Sequence, residues 1–241
     1  MSLVLAGGPV IPNFGQGSAC ETQNGWFCTD WVHEHWGDTL QPALVQHIEL
    51  SIIAIAIGFV LAFALALVGF RYRLLDPPIG LAADFLYTIP SLALFQLLVP
   101  FTGLTRTTVE IALVSYTLLI LYRNMIEGLR AVPPDALEAA RGSGFTRAQT
   151  FFRVELPLAL PAILAGLRIA TVSTISIATV AAFVIPNGLG RPIFIALEQN
   201  VFKTEIFTAG GLAVALALVA DGLLVLAQRA LTPWTRLERQ A

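Results

Sequence analysis

The residues of this chain whose types could carry chemistry are few and scattered. His33 and His35 flank Glu34, a pattern that could hold a metal. No third ligand follows at a usual interval, so the trio reads as polar surface and no metal site is expected. Cys20 and Cys28 are the two cysteines, and an oxidising compartment would allow a disulfide between them. Asp84, Arg168 and Asp221 stand inside otherwise apolar runs. A carboxylate at such depth could pass a cation or a proton. For Asp221 a polar partner or water contact is the preferred reading, while Asp84 and Arg168 are expected to snorkel to an interface. Thr171, Ser173, Thr174, Ser176 and Thr179 put hydroxyls into one apolar run. Their spacing suits helix packing, with Thr174 and Ser176 also candidates for a solute path. Pro90 followed by Ser91 interrupts another run, and the carbonyl freed there could line a path or be satisfied by a neighbouring helix. No His, Cys or carboxylate cluster sits at one depth, so no catalytic residue is assigned. No Gly-x-x-x-x-Gly-Lys-Ser/Thr loop occurs, so this chain is not expected to bind and hydrolyse ATP itself.

The elements that must position these residues are apolar blocks. Of 241 residues, 56% are hydrophobic and only 12% charged, about half the usual share of charge in a soluble domain. Leu50 to Phe70 has no charge in 21 residues. A helix needs about 20 residues to cross the roughly 30 Å hydrocarbon core. The blocks predict five crossings, over 48–70, 79–101, 109–127, 158–185 and 207–228, in an all-α polytopic membrane protein. The basic residues are scattered and the formal net charge is −2, which argues against nucleic acid as a partner.

Charge asymmetry predicts orientation. Arg71, Arg73, Arg123, Arg130, Arg141, Arg147, Arg153, Arg229, Arg236 and Arg239 fall in alternate loops and the tail; only Arg106, Arg191 and Lys203 fall in the others. The N-terminus is therefore expected outside, with the C-terminus and segment 128–157 in the cytoplasm. Residues 1–43 lack the basic start and apolar core of a signal peptide. Trp26, Phe27, Trp31 and Trp36 among acidic residues predict an amphipathic helix on the outer interface. The expected organisation is an extracytoplasmic segment 1–43, a transmembrane domain 44–230 and a cytoplasmic tail 231–241.

The inner segment is the most informative. Pro133 and Pro134 suit a helix start, and Asp135 to Arg141 places acid early and base late. Gly142-Ser143-Gly144 breaks that helix, with a positive φ expected at Gly144. Thr146 and Gln149 form a capping-box pattern that restarts a second helix, which Pro157 is expected to end. The small residues Ala139, Ala140 and Gly144 would allow close approach to another surface. On spacing alone, a docking element and an ordinary amphipathic loop remain equally open.

At these residues the chain resembles a known family. Glu138-Ala139-Ala140, Gly144 and Leu156-Pro157 reproduce the EAA loop of binding-protein-dependent ABC transporter permeases, with Val154 where that pattern has Ile. Thr88-Ile89-Pro90-Ser91-Leu92-Ala93-Leu94, Pro100-Phe101-Thr102-Gly103, Tyr122-Arg123-Asn124 and Gly188-Leu189-Gly190 are similar to the osmoprotectant branch, whose solutes are glycine betaine, choline and carnitine. The resemblance implies a type I ABC importer permease core with a cytoplasmic coupling helix pair, in the inner membrane of a bacterium. It implies a second permease subunit, cytoplasmic ATPase subunits that bind ATP and Mg²⁺, and an external solute-binding protein. Because only a short segment follows Gln228, that protein is expected as a separate chain. The docking residues it implies are Asp135, Glu138, Ala139, Ala140, Arg141, Gly144, Leu156 and Pro157. Pro90, Ser91, Thr174 and Ser176 are the path candidates. No cofactor is expected in this chain. A permease for an amino acid or methionine is the alternative reading; a channel or secondary transporter leaves the EAA segment unexplained.

Overall fold

The computed structural model describes residues 24–198 and 201–236, with no strand among them. Helix α1 (Thr29–Glu34) passes through a π-helical turn (Trp36–Leu40) into α2 (Gln41–Arg71). Then come α3 (Asp76–Thr88), α4 (Ser91–Thr102) and α5 (Arg106–Arg130). Next come α6 (Pro134–Gly142) and α7 (Arg147–Thr150), the latter joined by a second π turn (Phe151–Glu155) to α8 (Leu156–Ala181). Helices α9 (Gly190–Glu198) and α10 (Lys203–Leu231) and a 3₁₀ turn (Pro233–Arg236) complete the described chain.

Four continuous helical segments are long and apolar enough to cross a bilayer: Trp36–Arg71, Arg106–Arg130, Arg147–Ala181 and Lys203–Leu231. The straight span expected over 79–101 is instead a bent helix pair. It is broken, α4 turning 98° from α3 at the Ile89–Pro90 junction. The cause is local. Pro90 has no N–H to give, and Ile89 before it takes an extended conformation. The carbonyl of Ile89, left without its helical donor, accepts the Tyr116 hydroxyl from α5. A neighbouring helix thus closes the break, as buried backbone in a membrane requires.

Helix α5 is the centre, packed against both α2 and α8. Lipid tails are as apolar as leucine, so close packing rather than hydrophobic exclusion holds such helices together. The sequence supplies small residues for it. Ala54, Gly58, Ala62 and Ala66 recur every four positions on α2 and are all buried. A Cβ at Gly58 would collide with Thr117 of α5, and one at Gly166 of α8 would lie 2.4 Å from Asn124 Cβ. One cluster gathers Leu50, Phe95, Leu113, Tyr116 and Ile185 around the α3–α4 break. Another gathers Tyr122, Met125, Leu129, Ala159 and Ile163 toward the opposite end, where α5 leads to α6.

Other expectations need correction. The fourth span, expected to reach residue 185, ends as regular helix at Ala181, and α9 was not anticipated in the loop that follows. The N-terminal amphipathic helix is only the six residues of α1, and it docks on the chain itself. Trp31 is buried, edge-on to Phe202 at 5.2 Å and stacked on His35 at 4.5 Å. An indole needs an apolar surface, and here Phe202 supplies it in place of lipid. Only Trp26, Phe27 and Trp36 keep exposed rings. Cys28 is disulfide-bonded; Cys20 lies outside the described residues.

Candidate functional site

The helix pair between α5 and α8 is held by local chemistry. Pro134 sits in the first turn of α6, with Asp135 beside it and Arg141 in the last turn, matching the helix dipole. At its C-terminus Phe145 N–H donates to Ala140 O and Gly144 N–H to Arg141 O, at 3.1 and 2.9 Å. That double closure is a Schellman motif, and it sets Gly144 at φ +77°, the left-handed region expected there. Thr146 and Gln149 then form the full capping box. The Gln149 N–H donates to Thr146 Oγ1 at 3.3 Å and the Thr146 N–H to Gln149 Oε1 at 2.8 Å. A cap of this kind is worth about 1 kcal/mol. Arg153 lies over the Phe145 ring at 5.8 Å, closing the second helix back on the turn.

The second helix does not stop at Pro157. The wide π turn at Phe151–Glu155 gives the proline ring room, and the backbone runs into α8 without interruption. Leu156 and Pro157 are part-buried within this continuous segment. Asp135, Glu138, Ala139 and Gly144 are exposed on the pair, and Arg141, also exposed, borders the cleft behind it. Ala140 is not. At 6% exposure it faces its own chain, because the small side chain lets α6 settle against the segment leading into α8. Behind the pair a cleft of about 780 Å³ opens toward the end of α2, lined by Phe70, Arg71, Arg141, Phe145, Arg147 and Phe152.

Inside the span region, charges occur as pairs. Asp76, at the start of α3, accepts the Tyr122 hydroxyl at 2.6 Å and pairs with Arg130 at 2.8 Å, which fastens α3 to α5. Asp84 pairs with Arg123 at 2.7 Å. Arg168 and Asp221 meet as a two-pronged pair, Nε to Oδ1 at 2.8 Å and Nη2 to Oδ2 at 3.0 Å. The expectation that Arg168 snorkels to an interface is overturned, because a carboxylate on α10 lies within direct reach. The polar partner preferred for Asp221 is that arginine, a pairing 53 residues apart that neither local run could announce. Both side chains open on a cavity of about 530 Å³ between α8 and α10.

The path candidates separate. Pro90 is exposed and Ser91 half-buried at the break between α3 and α4. Ser176 is exposed, its hydroxyl donating to Val172 O at 3.0 Å. Thr174 leaves the set: it is 2% exposed and its hydroxyl is turned to Ala170 O at 2.7 Å. No group of three His, Cys, Asp or Glu side chains able to hold a metal occurs among the described residues.

A helical core of four continuous spans and one bent pair, with a capped helix pair between α5 and α8, is that of an importer permease. The chain belongs to the family of binding-protein-dependent transport system inner membrane components, whose model matches residues 54–236. It is 38% identical over 198 residues to the choline transport system permease protein OpuBB of Bacillus subtilis (strain 168), covering 82% of this chain and 90% of that one. It is 33% identical over 189 residues to the glycine betaine/carnitine/choline transport system permease protein OpuCB of the same organism, covering 78% and 86%. Its fold is that of a chain in the inward-facing MetNI methionine ABC transporter, with TM-score 0.67 and 19% identity over 80% of this chain and 95% of that one. It is thus a multi-pass inner-membrane transport component.

Proposed function

We propose that this chain is the membrane subunit of an ATP-driven importer for a quaternary ammonium osmoprotectant such as glycine betaine, choline or carnitine. The observation that carries the reading is the similarity, over about four-fifths of the chain, to permeases named for choline and for glycine betaine, carnitine and choline. The fold neighbours named for methionine share only 19% identity and speak for the fold alone. A second permease subunit, identical or homologous, completes the path. Separate cytoplasmic ATPase subunits bind ATP and Mg²⁺ and dock on the exposed face of α6, with Asp135, Glu138 and Arg141 at the contact. A separate external protein delivers the solute, and the N-terminus lies outside with the C-terminus in the cytoplasm.

In this scheme the permease is a two-state element. Closure of the ATPases moves the docked helices and favours the outward-open state; hydrolysis restores the inward-open one. The test is reconstitution of the permease with its ATPase and binding protein in proteoliposomes, followed by ATP-dependent uptake of labelled glycine betaine, choline and carnitine. Uptake of at least one is expected. A binding protein that ignores all three and captures an amino acid would establish the alternative solute class.

A further inference from the structure

Among the long helices, Arg168 and Asp221 are the charges placed furthest from a helix end. Arg168 lies 12 residues past Leu156 and 13 before Ala181, and Asp221 lies ten before Leu231. At about 1.5 Å per residue both are roughly 15–20 Å inside, near the middle of a core about 30 Å thick. The two side chains are 34% and 32% exposed, so other helices of the chain do not enclose them. Against acyl chains a part-open ion pair would keep most of its desolvation penalty. Facing water removes that penalty. The cavity before the pair is walled by Ala165, Ile169, Val172, Ser173, Ala217 and Leu218. Its about 530 Å³ falls within the range of small-ligand sites, about 300–1,000 Å³.

We infer that Arg168 and Asp221 form a solute station midway through the membrane for small zwitterions that combine a quaternary ammonium with a carboxylate. The solute class rests on the function proposed above; the station rests on the pair and its cavity. Asp221 engages the guanidinium through Nε and Nη2. The Nη1 side of the fork is outside that pairing and presents donors to a second carboxylate, as arginine can. A quaternary ammonium has no N–H, so it asks for negative charge at contact distance, which the Asp221 carboxylate provides. The solute's two charges then meet the pair in opposite sense. Ala165 and Ala217 leave the room beside it, and the apolar walls accept the methyl groups. A cation without a carboxylate, such as choline, gains nothing from Arg168 and is repelled by it. Both protein charges stay paired with each other when the solute leaves, so the site releases what it receives.

Two measurements on the full transporter in proteoliposomes decide this. Arg168→Gln should raise the KM for glycine betaine about tenfold while changing that for choline less than about threefold; equal changes for both solutes would leave the pair as a helix tie only. On the otherwise unaltered chain, Ser173→Cys should react with a membrane-impermeant thiol reagent above the wild-type background and be protected by saturating glycine betaine. No reaction, or reaction without protection, overturns the station, whether or not the Arg168 variant assembles. If the unaltered transporter imports neither solute, the proposed solute class fails instead. Labelling of Ser173→Cys then still reads whether the pair faces water.

Discussion

His47 Nδ1 accepts the backbone N–H of Leu189 at 3.2 Å, and that bond fixes the tautomer of a fully buried imidazole. With Nδ1 an acceptor, the proton sits on Nε2, which donates to Ile175 O at 3.0 Å. One side chain on α2 thereby serves a donor in the turn before α9 and a carbonyl of α8. The turn is shaped to meet it: Gly188 has φ +57°, and a Cβ there would stand 2.7 Å from His47 Nδ1.

His47→Leu should therefore destabilise the purified protein by about 2 kcal/mol, since it leaves a buried N–H unpaired. Gly188→Ala should cost a similar amount through strain and collision. Thermal unfolding of both variants in detergent, by fluorescence-detected size exclusion, reads this as a drop of several degrees. Unchanged midpoints for both would show that the clip holds nothing.

The burial of Ala140 divides the docking residues into two groups. Glu138→Arg alters only the exposed face, so ATPase co-purification and uptake should fall while thermal stability stays unchanged. Ala140→Glu forces a charge between α6 and its own chain, so stability and co-purification should fall together. Measuring both properties at matched membrane abundance distinguishes the groups. A stable Ala140→Glu protein would show that this seat is soft.

Thr146→Ala removes the oxygen that accepts the Gln149 N–H. The second helix should fray, with hydrogen exchange over residues 147–151 faster by about fivefold for a loss near 1 kcal/mol. Exchange in α5 should not change. Equal exchange in wild type and variant would mean that tertiary contacts alone hold the turn.

Tyr122→Phe removes the hydroxyl that Asp76 accepts and leaves the Arg130 pair, whereas Asp76→Ala strands both partners. The phenylalanine variant should lose about 1 kcal/mol and the alanine variant clearly more. The order of the two unfolding midpoints is the test, and a reversed order would deny Asp76 its role as the shared acceptor.

Orientation can be read with single cysteines at exposed sites. Asp30→Cys should react with an impermeant thiol reagent in intact cells, and Ser143→Cys only after lysis. The opposite pattern would invert the topology inferred from the arginines.

How much was legible in the sequence depended on range. The capping box at Thr146 and Gln149 and the positive φ at Gly144 are properties of six adjacent residues, and the apolar blocks announce their own length. Arg168 and Asp221 are 53 residues apart, and only packing of α8 on α10 makes them partners. Trp31 is satisfied equally by lipid or by Phe202, so its type could not choose. Ala140 is small on whichever side it is approached, and smallness alone did not say from which. Pro157 is a helix breaker by rule, yet the π turn before it absorbs the disruption.

That last feature has a mechanical consequence. From Arg147 to Ala181 the backbone is one unbroken rod of 35 residues, stiff because each turn is bonded to the next. Arg168 stands 21 positions along it, about 31 Å from its Arg147 end. A tilt of about 10° about that end would sweep the guanidinium through about 5 Å, more than the length of its bonds to Asp221. The rod is a lever arm, with α7 at one end and the ion pair well up its length. By geometry alone, a small change in the angle of this rod is enough to make or part the contact between Arg168 and Asp221.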